Sequence, residues 1–277
     1  MAGFPEIIEN FCPCFGIFAI MLKSLIFLLL FILMGLVSTA QHPQVPILCY
    51  HQIRNWKAKD SQTDKAYIIP PSAFNAQMKM LSDSGYHSIL PDELHDYLTI
   101  GKPLPSKPIM LTFDDSNADQ FTAARPVLIK YHFKAVYFII SGKIGTHKWF
   151  MNSRQVRQLS DEGNMIGCHT RDHTDFRKLK GAEWQVQIAD SKHELEGITG
   201  KPASYFAFPF GEWNRAGLPK LHRLGFKAAF ALEQPRDSMD PVMTIRRIIT
   251  PGYWSPQTLD QHIKRDFGRF NPTTYSK

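Results

Sequence analysis

From Val45 to Asp266, short apolar runs and helix-spaced segments alternate along the chain, and no other feature of its 277 residues limits the fold as much. Val45–Tyr50, His87–Leu90, Pro108–Leu111, Ala135–Ile140, Met165–Cys168, Tyr205–Phe208, Ala228–Leu232 and Ile245–Ile249 read as buried strands. Helical spacing falls between them, at Ser72–Ser84, Asp92–Leu98, Asn117–Tyr131, Ser153–Glu162, Glu183–Ile198, Ala216–Leu224 and Pro256–Asp266. Strand and helix in series imply right-handed crossovers and a parallel α/β sheet. An open doubly wound sheet and a closed barrel both satisfy this, and both place their chemistry on loops at the carboxyl ends of the strands.

The amino-terminal segment stands outside this pattern. Residues 15–37 are apolar except for Lys23 and Ser24, and Ser38-Thr39-Ala40 follow. A positive residue, an apolar core and small residues at the end fit a secretory signal cleaved after Ala40; an uncleaved membrane anchor is the competing reading. Residues 1–40 are therefore set apart, and residues 41–277 are expected to form one domain outside the cytoplasm. Met21 would make a more ordinary start than Met1. Removing residues 1–40 takes away Lys23, Glu6 and Glu9 and leaves a charge of about +8, which suits an anionic envelope or an acidic glycan. With no basic cluster interleaved with aromatics, nucleic acid is not expected as a partner, and membrane contact is expected only through residues 15–37. Of the four cysteines, Cys49 and Cys168 remain, both in strand-like runs where a thiol acts as a small buried hydrophobe, so no disulfide framework is expected.

The strand ends are polar. Tyr50-His51 close the first run, Asp114-Asp115 follow the Pro108 run, His169-Thr170-Arg171-Asp172-His173 follow the Met165 run, and Pro209-Phe210-Gly211-Glu212 follow a later one. Side chains of adjacent strand residues point to opposite faces, so Asp114 and Asp115 meet one site only if the strand breaks there. The pair of anions persists most easily beside a cation. His169 and His173 lie four apart, which brings both imidazoles to one side if the backbone makes a helical turn. Two histidines and one carboxylate form a ligand set for zinc or a similar divalent ion. Asp115, His169 and His173 would hold it, leaving Asp114 to take the proton of an attacking water during hydrolysis of an amide or ester.

Thr112-Phe113-Asp114-Asp115 and His169-Thr170-Arg171-Asp172-His173 resemble the first two motifs of the polysaccharide deacetylases, the group that includes chitin, peptidoglycan and nodulation-factor deacetylases. The likeness extends through Pro46–His51 and Phe206–Gly211, where it is greatest to the branch acting on poly-N-acetylglucosamine. It implies a distorted (β/α) barrel of about seven parallel strands. It also implies Asp114 as catalytic base, Asp115, His169 and His173 as metal ligands, Phe210 as the residue whose backbone N–H helps hold the oxyanion, and Thr170 as a residue ordering the histidine loop. Zinc is the usual metal implied, with cobalt, nickel or iron as alternatives.

The chain departs from the family pattern at two places. The arginine that orients the base in many members is missing before Pro209, and Arg247, or less readily Arg246, is expected to replace it. The Leu-His-Asp motif that supplies the general acid is missing after Arg247. His262 falls in an expected helix with a surface role, so His51 becomes the candidate proton donor by position, with support of the rim as its other role. Trp213, Tyr253 and Trp254 are expected either to form a floor for a sugar ring or to pack a loop. The expected activity is removal of N-acetyl groups from N-acetylglucosamine units of an acetylated envelope or matrix polysaccharide by an exported, metal-dependent enzyme. The alternatives are an O-acetyl carbohydrate esterase, a hydrolase of small amides, and a glycan-binding protein on the same fold; a purely structural protein leaves the polar strand ends unexplained.

Overall fold

In the computed structural model, which describes residues 44–268, the expected strands appear in order and with short extents, together with a small unexpected pair at 52–53 and 68–69. They are β1 (Ile47–Tyr50), β2 (Gln52–Ile53), β3 (Ile68–Ile69), β4 (His87–Ser88), β5 (Pro108–Phe113), β6 (Val136–Ile139), β7 (Met165–Cys168), β8 (Tyr205–Ala207), β9 (Ala228–Ala231), β10 (Ile245–Arg246) and β11 (Ile248–Ile249). The apolar segment at residues 15–37, the proposed cleavage point and residues 269–277 lie outside the described residues. No helix among the described residues is long and apolar enough to cross a membrane.

The main sheet runs β10-β9-β8-β7-β6-β5-β1-β11, every neighbour parallel, with β4 added beside β5. Its two ends, β10 and β11, are consecutive in sequence with only Arg247 between them. The run expected as one strand, Ile245–Ile249, is therefore split. Ile245 pairs with Phe230 of β9, whereas Ile248 pairs with Leu48 of β1. That one residue brings the two ends of the sheet together in a nearly closed, distorted α/β barrel, in which β10 with β11 fills the seventh position beside six unbroken strands. The parting of β10 from β11 is invisible in an apolar run, because periodicity does not say which neighbour each residue pairs with.

The pleat sorts side chains into two cores. Leu48, Leu111, Phe113, Tyr137 and Phe206 face outward under the helices, joined by Phe74, Met78 and Leu81 of the helix Pro71–Asp83. Ile47, Met110, Val136, Phe138 and Phe230 belong to the second cluster, which Leu94 and Tyr97 of the helix Pro91–Ile100 join. That helix is fastened near the start of β8, where the Tyr205 hydroxyl donates to Asp92 Oδ1 at 2.5 Å. Residues 112 and 114 share the face of Met110, so Asp114 is directed toward the barrel interior at the carboxyl end of β5.

Two segments expected as continuous helices contain π turns, Gln120–Ala124 ahead of the helix Arg125–Lys130 and Gln185–Asp190 ahead of the helix Ser191–Thr199. Each carries a buried glutamine, Gln120 or Gln187, that ties a loop of the site.

The loop after β11 is held by close backbone approach at Gly252, whose N–H donates to the Lys65 carbonyl at 3.0 Å. A Cβ there would stand 1.9 Å from the carbonyl oxygen of Ile68. Gly252→Ala is expected to part this loop from β3 and cost about 1–3 kcal/mol or more, read as a lower denaturant midpoint. An unchanged midpoint would show that the contact relaxes freely.

Candidate active site

The polypeptide reaches the site through strained backbone. Among the described residues, five of the seven non-glycine residues with positive φ are here: Asp115 (76°), Ser116 (62°), Thr170 (61°), His173 (61°) and Phe210 (63°). The break expected after Asp114 lies at Asp115 and Ser116, and it turns the second carboxylate toward the rim. Ser116 is fixed from two sides: its Oγ accepts from Ile140 N–H at 2.8 Å, and its carbonyl accepts from Met151 N–H at 2.9 Å.

His169 and His173 do come together, but not through a helical turn. The loop between them uses left-handed residues at Thr170 and His173, and the imidazole centroids are 4.9 Å apart. Thr170 Oγ1 accepts from Thr174 N–H at 3.1 Å. The Arg171 carbonyl accepts from Gly142 N–H at 2.8 Å, and Gln187 brackets Asp172 by accepting from its N–H (3.1 Å) and donating to its Oδ2 (2.9 Å).

Asp115, His169 and His173 each direct one donor atom at a common point, all within 4.8 Å of one another. The Nε2 atoms of His173 and His169 lie 3.4 and 3.6 Å from Asp115 Oδ1, and that buried oxygen has no hydrogen-bond partner. His169 Nδ1–H donates to the Ala207 carbonyl at 2.8 Å, which turns the Nε2 lone pair inward. Burial, and then the charge of His169, holds His173 down at about 4, so its imidazole is neutral at neutral pH. Burial also disfavours charge on His169, but Asp114 and Asp115 outweigh it and raise its pKa. Converging lone pairs, an unpartnered carboxylate oxygen and a local excess of negative charge fit a divalent cation held by these three residues.

Asp114 is constrained differently. The guanidinium of Arg247, fully buried, donates from Nη1 to Oδ1 at 2.7 Å and from Nη2 to Oδ2 at 2.8 Å. Arg247 Nη1 also donates to Thr112 Oγ1 at 3.1 Å, and its Cζ stands 5.2 Å from the Phe138 ring centre. Burial alone would raise the Asp114 pKa; the Arg247 and His169 charges outweigh it and hold the carboxyl well below the usual carboxylate range. Arg246 faces elsewhere, over Phe267 at 5.5 Å.

His51 stands beside this pair: one ring nitrogen, the Cys49 sulfur and an Asp114 carboxylate oxygen lie within 4.8 Å of one another. Its Nδ1 is buried without a partner, Tyr67 meets its ring edge to face at 4.9 Å, and burial lowers its pKa. Gln120 Nε2 joins the ends of β1 and β5 by donating to the carbonyls of His51 (2.8 Å) and Asp114 (2.5 Å). Cys49 and Cys168 are both free, and Cys49 Sγ donates to Asp114 Oδ2 at 3.5 Å.

Phe210 is 61 % exposed and its ring meets His173 at 4.5 Å. Gly211 behind it has φ 74°, and a Cβ there would sit 2.5 Å from that of Leu232. Phe210, Tyr67, Glu233 and Ile249 line one cavity; Tyr67, Glu233 and Ile249 also line a second, of about 530 Å³, with Tyr253 and Trp254. Trp213 is not among the residues lining either, but packs half-buried against the core with Nε1 unpartnered. Trp254 stacks on His262 at 3.7 Å, so the three aromatics do not form one floor. The sequence reading missed Gln120, Gln187 and Tyr67. Gln120 had a signal: it shares an i, i+4, i+8 face with the buried Ala124 and Leu128, where a polar residue needs a buried partner.

The polysaccharide deacetylase family profile matches residues 101–229, from ahead of β5 to within β9. YxkH of Bacillus subtilis, assigned by its name to the polysaccharide deacetylases, is 30 % identical over 218 residues, covering 78 % of this chain and 75 % of that one. The poly-β-1,6-N-acetyl-D-glucosamine N-deacetylase of Staphylococcus aureus is 25 % identical over 208 residues, covering 68 % and 71 %. Among solved structures, the Streptococcus pyogenes deacetylase PplD, in complex with acetate, superposes with a TM-score of 0.72 at 26 % identity over 80 % of this chain and 99 % of its own.

Proposed function

The chain belongs to the polysaccharide deacetylase family, and from that premise we propose that it is an exported, metal-dependent hydrolase removing N-acetyl groups from N-acetylglucosamine units of a cell-envelope or matrix polysaccharide. The observation that carries this reading is the convergence of the Asp115, His169 and His173 donor atoms beside an Asp114 clamped by Arg247. The staphylococcal relative, by its name a poly-β-1,6-N-acetyl-D-glucosamine N-deacetylase, supports N-acetylglucosamine units as the place of deacetylation. Export rests on the leader-like residues 1–40.

Asp115, His169 and His173 would hold a divalent ion, most readily zinc, which when bound would supply Lewis acidity for the hydrolysis. Asp114, kept ionised and oriented by Arg247, accepts the proton of that water as oxygen adds to the acetyl carbon. The backbone N–H of Phe210 donates to the oxyanion that forms. The C–N bond then breaks, and the proton goes to the departing amine. His51 is assigned this delivery: its imidazole, with Nδ1 lacking a hydrogen-bond partner, stands beside Asp114 and would take up the proton acquired there, which the depressed Asp114 pKa makes easy to release, before passing it to the nitrogen. Acetate and a free glucosamine amine result. Tyr253 and Trp254 contact the polymer beyond the reacting sugar, while Trp213 acts through packing of the loop behind Phe210.

Acetate release by the full chain, with zinc and with chelator, from β-1,4- and β-1,6-linked N-acetylglucosamine oligomers and an O-acetylated xylan tests this reading. Chelator-sensitive release from a glucosamine oligomer is expected. Release from xylan alone would make the protein an esterase, and binding without any release would make it a glycan-binding protein.

A further inference from the structure

Two loops border the Asp115 side of the site, and their charge is unbalanced. Residues 54–67 and 141–152 together carry Arg54, Lys57, Lys59, Lys65, Lys143 and Lys148 against only Asp60 and Asp64. Arg54 already takes Asp60 at 2.8 Å, and Asp64 accepts from the backbone N–H and hydroxyl of Ser61. None of the five lysines has an acidic partner within salt-bridge distance among the described residues. Exposed aromatic rings hold several of these ammonium groups instead. Lys148 and Lys57 lie 4.9 and 6.0 Å from the ring centre of Trp149, which is 59 % exposed, and Lys65 lies 5.2 Å from that of Trp56.

Both loops are fastened to the segments that carry the site. Trp149 O accepts from Ala118 N–H at 2.8 Å, and Asn117 and Phe150 form an antiparallel bridge two residues beyond Asp115. In the other loop, Trp56 Nε1 donates to the Ile68 carbonyl at 2.8 Å beside Tyr67, whose ring meets His51. A tryptophan on the rim of a sugar site stacks on a pyranose when its face is free. Here lysine ammonium groups lie over the rings of Trp149 and Trp56, and the cation–π contacts restrict side chains that would otherwise sample many rotamers. Ordering several unneutralised cations side by side is self-repulsive and becomes favourable when an anion arrives.

Resting on the deacetylase reading above, we infer that the polymer crossing this rim carries fixed negative charge, as carboxylate or phosphate, on units flanking the acetylated sugar. An anionic bilayer is the other surface that would suit a basic aromatic rim; attachment of both loops to the Asp115 and His51 segments favours a polymer that crosses the rim to reach the site.

The test pairs a neutral N-acetylglucosamine hexamer with an alternating N-acetylglucosamine–N-acetylmuramic acid hexamer, its carboxylates free or amidated, and with a phosphodiester-bearing oligomer. Acetate release and tryptophan-fluorescence titration of the full chain are followed at low and high salt. The charged oligomers are expected to bind about tenfold more tightly than the hexamer at low salt, with the advantage lost at about 0.5 M salt. Comparison of the carboxylate and phosphate arms identifies the source of the charge. In Lys57→Gln/Lys148→Gln the ratio between charged and neutral ligands should fall to about one. Equal affinity for charged, amidated and neutral oligomers overturns the proposal, as does a double variant that keeps the wild-type ratio or whose main loss is binding to phosphatidylglycerol vesicles. Charge-dependent binding without acetate release would leave this inference standing and count against the deacetylase reading alone.

Discussion

Arg247→Met is expected to lower the thermal midpoint by about 6–20 °C. The substitution leaves Asp114, 2 % exposed, with its charge buried and its bidentate partner gone. Removing one member of a buried ion pair costs about 3–5 kcal/mol, and about 2–4 °C accompanies each kcal/mol in a domain of this size. The pH dependence has a definite sign. Asp114 is held below its unfolded-state value of about 3.9, so the pair's contribution is complete above that value and is lost as pH falls toward the folded-state value. The gap between wild type and variant should therefore be widest near neutral pH and begin to narrow below about pH 4, where Asp114 is protonated first in the unfolded chain. Scanning calorimetry across pH 3–8 would check both statements, and a gap that does not vary with pH would dissociate the loss from Asp114. Arg247→Lys should recover only part of the midpoint, because one ammonium cannot bond both carboxylate oxygens in a planar fork. Its acetate release should remain below wild type even where it is fully folded, since a positioning role requires that geometry as well as the charge.

In Asp114→Asn, acetate release should fall by about 10²–10⁴ while the bound metal stays near one per chain. The three donor atoms of Asp115, His169 and His173 are untouched, but the group proposed to take the proton of water is gone. Arg247 then lacks its anion, so turnover must be compared below the melting transition of both proteins, with metal content measured on the same samples. Retained turnover would remove Asp114 from the role of base. Loss of metal together with turnover would show that Asp114 holds the ion instead of acting beside it.

How far the sequence reaches is visible in particular residues. Asp114-Asp115 and His169/His173 stand out only together: a carboxylate pair can simply cap a helix and two histidines can simply be exposed, but both pairs at strand ends are harder to explain by chance, and the structure brings all four together. The mode of approach was not legible. Four-residue spacing suggests a helical turn, whereas the loop reaches the same end through left-handed residues at Thr170 and His173, which no local preference of threonine or histidine announces. Trp213, Tyr253 and Trp254 look equivalent as exposed aromatics, yet Trp213 packs against the core and Trp254 shares its face with His262. Such fates depend on contacts between segments far apart in the chain.

The chain's order of strands and helices determined by itself that a parallel α/β sheet would form and that its polar strand ends would meet on one rim, because crossover handedness leaves few other arrangements. Only the tertiary structure decided how the two ends of the sheet meet and what stands behind Asp114. Arg247 lies 133 residues from Asp114 in sequence. It faces that carboxylate because β10 and β11 pair with opposite ends of the sheet, and one residue between them must turn into the barrel. Pairing of that kind is fixed by burial and by backbone hydrogen bonds across the whole sheet, and no local pattern within Ile245–Ile249 encodes it.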